Sequence, residues 1–196
     1  MSKIYNRRSI RLKEYDYSQC GYYYVTICIH NRECNLGKVV NGKIQLSKIG
    51  EIVKNEWLNT KQIRKNIDLD EWVVMPNHIH GIIVINDVLF HVGAHCNAPL
   101  QTNNKNQFGP QSNNLGAIIR GFKGVTTKRI HSIGSCGFLW QRNYYEHVIR
   151  NEIELNWIRE YIINNPLQWE LDEDNSSKKI CIKKNQKDRL GFACNK

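Results

Sequence analysis

The chain has 196 residues and 41% apolar content, enough for one domain of ordinary size with a sizeable core. Lys and Arg number 28 against 18 Asp and Glu, a net charge of +10 that attracts polyanions, nucleic acid first among them. No apolar run approaches the ~20 residues of a membrane helix, no amphipathic segment gathers the basic residues as a lipid-surface helix would, and the basic N-terminus lacks a secretory apolar stretch, so a cytoplasmic protein is expected.

The seven cysteines are odd in number and form no CxxC pair, which argues against a disulfide framework or a structural zinc site. In chain order, "GYYYVTICIHNR" (21–32) is aromatic and β-branched and predicts a buried strand. "GKVVNGKIQLS" (37–47) sets Asn41-Gly42 between short apolar runs, the signal of a two-residue hairpin. Ser47 can cap a following helix, in which Ile49, Val53, Trp57 and Ile63 recur near helical spacing. "IDLDEWVVM" and "HIHGIIVI" read as two strands joined at Pro76-Asn77, a hairpin over 68–86. Residues 91–114 are rich in Asn, Gln, Gly and Pro and predict a long polar insertion.

"LGAIIRGFKGVTTKRIHSIG" follows, with Leu115, Ile118, Phe122 and Val125 on one helical face and Arg120, Lys123, Lys128 and Arg129 largely on the other. "FLWQRNYYEHVI" predicts a short strand, and "NEIELNWIREYIINN" a helix stopped by Pro166. From Asp172 the composition turns polar and Lys-rich, a loose tail. The pattern fits an α+β fold, an antiparallel sheet of three to five strands with helices packed on it.

The histidines of "VVMPNHIHGIIV" carry the chemistry. Side chains alternate along a strand, so His78 and His80 share one face, ~7 Å apart along it. They are either plain strand histidines or a pair converging on one ion or phosphate. Zinc would need further Cys, His or carboxylate ligands. A histidine-triad hydrolase would need a third His at position 82, which is Ile. A hard divalent ion would need an oxygen ligand and, for phosphate chemistry, a nucleophile. Trp157, Tyr161 and Asn165 stand four apart on one helical stripe, offering a hydroxyl and an amide oxygen. Tyr161 also reads as an ordinary amphipathic core tyrosine.

"MPNHIHGIIV", "WQRNYYEHVIR" and "YIINNP", in this order and at these separations, resemble the single-tyrosine HUH transposases. The likeness is to the REP-associated tyrosine transposases and related small insertion-sequence enzymes, over about residues 15–169. It implies a ferredoxin-like sheet with the histidine strand at its centre, in a catalytic domain spanning 1–171 with a basic tail over 172–196. It also implies that His78 and His80 bind Mg²⁺ or Mn²⁺ with Asn165, and that Tyr161 attacks the phosphate of hairpin-forming single-stranded DNA. The expected outcome is a 5′-phosphotyrosine and strand transfer, by a monomer or homodimer. Tyr144 and Tyr145 are rival tyrosines. Arg120, Lys123, Lys128, Arg129, Trp140, Arg142 and Tyr144 are the expected DNA contacts. A hairpin-binding regulator without catalysis and a histidine-dependent nucleotide hydrolase are the competing readings.

Overall fold

Residues 12, 15–86, 114–172 and 175 are described by a computed structural model. The expected insertion lies outside them except for Asn114, and so does the expected tail except for Asp172 and Asn175.

The aromatic run at 21–28 forms strand β1 (Gly21–Cys28). Strands β2 (Gly37–Val40) and β3 (Lys43–Leu46) make a separate two-stranded hairpin. Its turn, Asn41-Gly42, has φ of 51° and 71°, the positive pair that matches the twist of a tight hairpin. Helix α1 (Lys48–Ile63) begins where the Ser47 hydroxyl accepts the Gly50 N–H at 3.1 Å. It buries Val53 and Trp57 as expected, but Ile63 is exposed and Thr60 is buried instead. At about 100° per residue, Ile63 lies some 240° round the helix from Trp57, whereas Thr60 lies only about 60° away.

Strands β4 (Ile67–Val74) and β5 (His78–Ile85) form the predicted hairpin. Helix α2 (Leu115–Ser132) is capped by Asn114, whose side chain accepts the Ala117 N–H at 2.8 Å. Val125 was expected on its buried face but is exposed; Ile119, Thr126 and Ile130 are buried in its stead. Strand β6 (Tyr145–Ile149) leads into helix α3 (Glu152–Gln168). The helix does not stop at Pro166 but runs through it. Proline removes one N–H donor there, and the turn survives that loss, keeping Asn165 helical and 3% exposed.

The main sheet has the order β4-β5-β1-β6, antiparallel throughout. With α1 between β1 and β4 and α2 between β5 and β6, this is the ferredoxin-like βαββαβ arrangement. β5 is therefore an interior strand. Helices α1 and α2 share one face of the sheet, where Val53, Trp57, Ile118 and Phe122 pack on Tyr23, Val25, Ile27, Ile79 and Ile83. Gly81 lies under the Trp57 ring, and a Cβ at that position would collide with it. The opposite face carries a smaller cluster, in which Leu155 and Ile162 of α3 pack on Tyr24, Ile82 and Ile149. Alternation along β5 puts His78 and His80 on this second face, under α3. Among the described residues no helix is long and apolar enough to cross a membrane.

Candidate active site

His78 and His80 are both buried, and their Nε2 atoms stand 2.9 Å apart. They therefore converge, as the spacing suggested. What turns them toward each other lies behind the rings. The Nδ1 of His78 is 2.7 Å from Asn77 Oδ1, while the Asn77 amide group donates to the Arg32 carbonyl at 3.2 Å. An amide oxygen only accepts, so it fixes the His78 proton on Nδ1 and leaves the Nε2 lone pair facing His80. Burial, with the Arg32 charge adding to it, pulls the His78 pKa down to about 3. The ring is neutral, as a metal ligand must be.

His80 is held differently. Its Nδ1 lies 2.7 Å from Tyr24 Oη and 2.9 Å from Thr26 Oγ1. The register that pairs Thr26 with His80 across β1 and β5 puts these hydroxyls there. Hydroxyls donate or accept by rotating, so His80 can carry its proton on either nitrogen. With the proton on Nε2 it donates to His78; with the proton on Nδ1 both Nε2 lone pairs face one point. Burial raises the Tyr24 pKa well above the usual phenol range, the Thr26 hydrogen bond opposes this, and Tyr161 adds to the rise. Tyr24 therefore stays protonated.

Helix α3 supplies the rest. The Tyr161 ring stands edge-on to His80, with centroids 5.4 Å apart, and edge-on to Tyr24 at 6.3 Å. It is 45% exposed, so its position is open to solvent on one side and beside the imidazoles on the other. Two turns further on, Trp169 lies 6.1 Å from the His78 ring. Asn165 falls between the two on the same stripe, buried, and its Oδ1 accepts no hydrogen bond among the described residues. A buried amide oxygen left without a donor carries a desolvation cost, which a cation would offset. Among the described residues no group of three His, Cys, Asp or Glu side chains gathers. Two imidazole nitrogens and an amide oxygen are the atoms here that could hold a divalent ion, short of the four Cys, His or carboxylate ligands of a structural zinc site.

The expected DNA contacts divide. Arg120, Lys128 and Arg142 are exposed. Arg129 is exposed too, but its guanidinium pairs with the buried Glu56 carboxylate at 2.7 Å and so links α2 to α1. Lys123 is half-buried and donates to the carbonyls of Gln141 and Asn143 at 2.8 and 3.1 Å. It staples the loop that carries Arg142. Burial pulls its pKa down to about 8, with Cys28 opposing the fall. Trp140 packs against Phe122 and Phe138 and donates its indole N–H to Thr126 at 3.3 Å, and Tyr144 packs on the same core. The spacing rule that put Lys123 on an open face takes no account of the loop folding over it. Helix α2 also lies on the sheet face opposite the histidines, so Arg120 and Lys128 are remote from them. The rival tyrosines separate as well. Tyr145 is exposed on β6 and lies 6.1 Å from Tyr24 rather than beside a histidine.

Asn77, Tyr24 and Thr26 are the site residues that the sequence reading missed. Pro76-Asn77 predicts only a turn, although the place of Asn77 immediately before His78 is a usable signal.

No family model matches the chain. Among solved structures it resembles that of a REP-associated tyrosine transposase bound to a REP hairpin, with a TM-score of 0.50 and 20% identity, over 86% of this chain and 74% of that one. At that identity the likeness is one of fold. An uncharacterized protein of Haemophilus influenzae is 43% identical over 173 residues, which cover 87% of this chain and 93% of the relative. Identity of that level across nearly all of both sequences means that the chain belongs to the same protein family as this Haemophilus influenzae relative.

Proposed function

We propose that the protein is a metal-dependent single-stranded DNA endonuclease and strand transferase, a single-tyrosine transposase of the HUH type. The observation that carries this reading is the Tyr161 ring beside His80, over a converging imidazole pair, with the orphaned Asn165 oxygen one helical turn away. His78, His80 and Asn165 would hold Mg²⁺ or Mn²⁺. Such an ion supplies positive charge at the scissile phosphate, where negative charge builds during transfer.

The chain's own groups do the rest. Tyr161 Oη attacks the phosphorus and a P–O bond forms. The bond to the 3′ oxygen breaks, leaving a 5′-phosphotyrosine and a strand ending in 3′-OH. The phenol proton goes to water and the leaving oxygen takes one up. In the second step a 3′-OH attacks the phosphotyrosine and Tyr161 is released, so strands are rejoined without an external energy source. Tyr24, kept neutral by burial, presents a hydroxyl rather than a second phenolate next to the nucleophile.

The transposase of similar fold was solved with a REP hairpin. We take a DNA hairpin with a single-stranded flank as the substrate class here, gripped outside the site by Arg142 and by the exposed cations of α2. The test is incubation of such a hairpin with the protein and Mn²⁺, followed by denaturing electrophoresis and peptide mapping. A covalent adduct on Tyr161 that is absent in Tyr161→Phe is expected. Hairpin binding with no adduct would point to a binding-only regulator, and phosphate on Tyr144 or Tyr145 would overturn the assignment.

A further inference from the structure

Helix α3 has a weak apolar hold on the sheet. It buries Leu155, Ile162 and Asn165, with Ile158 partly covered, while Ile153, Trp157, Ile163 and Leu167 are exposed. Two polar ties reach it from opposite edges of the sheet. At the β6 edge, His147 Nε2 meets Glu154 Oε1 at 2.7 Å, and the other oxygen of Glu154 accepts the Arg150 N–H at 2.9 Å. At the β4 edge, Arg159 Nε and Nη2 donate to the two oxygens of Asp70 at 2.9 and 2.5 Å. The guanidinium is steadied on its own helix by Asn156, whose Oδ1 accepts from Nη1 at 3.0 Å.

The β4 tie is built into the strand. The register of β4 against β5 shifts between Leu69 and Trp72, so that Asp70 and Glu71 together face the single residue Ile82. Leu69 packs on the α1–α2 side, so alternation sends Asp70 to the α3 side with Ile82, and the bulge that follows returns Trp72 to the α1–α2 core. The Asp70 side chain is 15% exposed and that of Arg159 is 34% exposed. Burial works against ionisation of Asp70, but the Arg159 hydrogen bonds, the Glu71 N–H and the Arg159 charge outweigh it and hold the carboxyl below its ordinary range.

We infer that Asp70 and the Arg159 fork are a positioning pair that fixes helix α3 on the sheet and so holds Tyr161 beside the His78–His80 pair. The inference rests on the function proposed above only for what Tyr161 does; the hold on the helix stands on the geometry. Arg159 lies two residues before Tyr161, and a two-point fork resists both sliding and rotation of the helix where a single contact would not. Misplacing a reacting atom by about 1 Å costs on the order of 10²-fold in rate.

The test uses the full chain in four forms: wild type, Arg159→Gln, Arg159→Lys and the charge-swapped Asp70→Arg/Arg159→Asp. Circular dichroism first establishes that each is folded. Hydrogen exchange, read by mass spectrometry without metal or DNA, should show faster exchange confined to α3 peptides in Arg159→Gln and largely restored protection in the swapped pair. Single-turnover adduct formation at saturating hairpin and Mn²⁺ should fall by roughly 10²-fold in Arg159→Gln, by less in Arg159→Lys, and recover in the swap, with hairpin affinity unchanged. A merely structural ion pair would lower stability throughout the domain and leave the saturated rate alone. Unchanged exchange in α3, or an unchanged saturated rate in Arg159→Gln, would overturn the inference. If the wild type itself forms no adduct on Tyr161, the functional reading fails, and the exchange comparison still decides whether the pair holds the helix.

Discussion

Replacing Asn77 by alanine separates the two jobs of a buried amide. His78 is fully buried and its Nδ1–H has one described acceptor, the Asn77 oxygen at 2.7 Å. Asn77→Ala leaves that N–H unsatisfied, a cost of about 1–3 kcal/mol, and also deletes the bond to the Arg32 carbonyl. The ring can escape most of the penalty by moving its proton to Nε2, where it donates to His80 instead. That escape points a proton at the place where a cation would bind. Affinity for Mn²⁺ should therefore fall by about 10–100-fold, the usual toll for losing an orienting partner of a histidine ligand. Asn77→Asp keeps the acceptor and adds negative charge, so its affinity should stay at or above that of the wild type. Manganese binding followed by electron paramagnetic resonance at neutral pH measures the first effect, and urea denaturation without metal measures the second. Wild-type Mn²⁺ affinity in an Asn77→Ala protein that is measurably less stable would refute the tautomer argument, because the hydrogen bond would then matter to folding alone.

Gly81→Ala should destabilise the fold by about 1–3 kcal/mol, read as a lower urea midpoint at unchanged slope, since its methyl group meets the buried Trp57 ring. Gly124→Ala, which meets nothing within 4 Å on the exposed side of α2, should stabilise by up to about 1 kcal/mol and so serves as its control. Asp70, with its pKa held below the ordinary carboxyl value, contributes stability that is present above its unfolded pKa of ~3.9 and lost as pH falls through the lower folded value. Asp70→Asn should flatten that acid limb, and an identical limb in denaturation series of both proteins would show that the pair contributes nothing. Hairpin binding should weaken by roughly 10³-fold between 50 and 200 mM salt if about six phosphates are contacted, and a flat response would exclude a grip dominated by the backbone.

The elements that could be read from the chain were those with strong local signals. The Asn41-Gly42 turn, the Ser47 cap and the two apolar strands around Pro76-Asn77 each need only a few neighbouring residues, and all are present. Errors came where tertiary packing overrides period. Thr126 replaces Val125 on the buried face of α2 because its hydroxyl bonds back to the Phe122 carbonyl and receives the Trp140 indole. Such a position costs little polar burial. Pro166 predicts a stop, yet Trp169 seats its ring against His78 beyond it, and that burial favours one more turn. The bulge at Asp70 had no signature at all, since "LDEW" contains neither glycine nor proline.

The candidate site was legible to the extent that its residues lie close in sequence. His78 and His80 are two apart, and Tyr161 and Asn165 are four apart, so strand and helix periods alone place each pair on a face. Neither period says that the two faces meet, nor what stands behind the rings. Tyr24 and Thr26 reach His80 only through the β1–β5 register, at sequence separations of 56 and 54. A shift of that register by one residue would turn both hydroxyls to the α1–α2 side of the sheet. What holds it is the apolar set on that side: Tyr23, Val25 and Ile27 beside Ile79 and Ile83, all buried. The packing of one face thus sets which hydroxyls stand behind His80 on the other, and the core beneath Trp57 is part of what aims its ring.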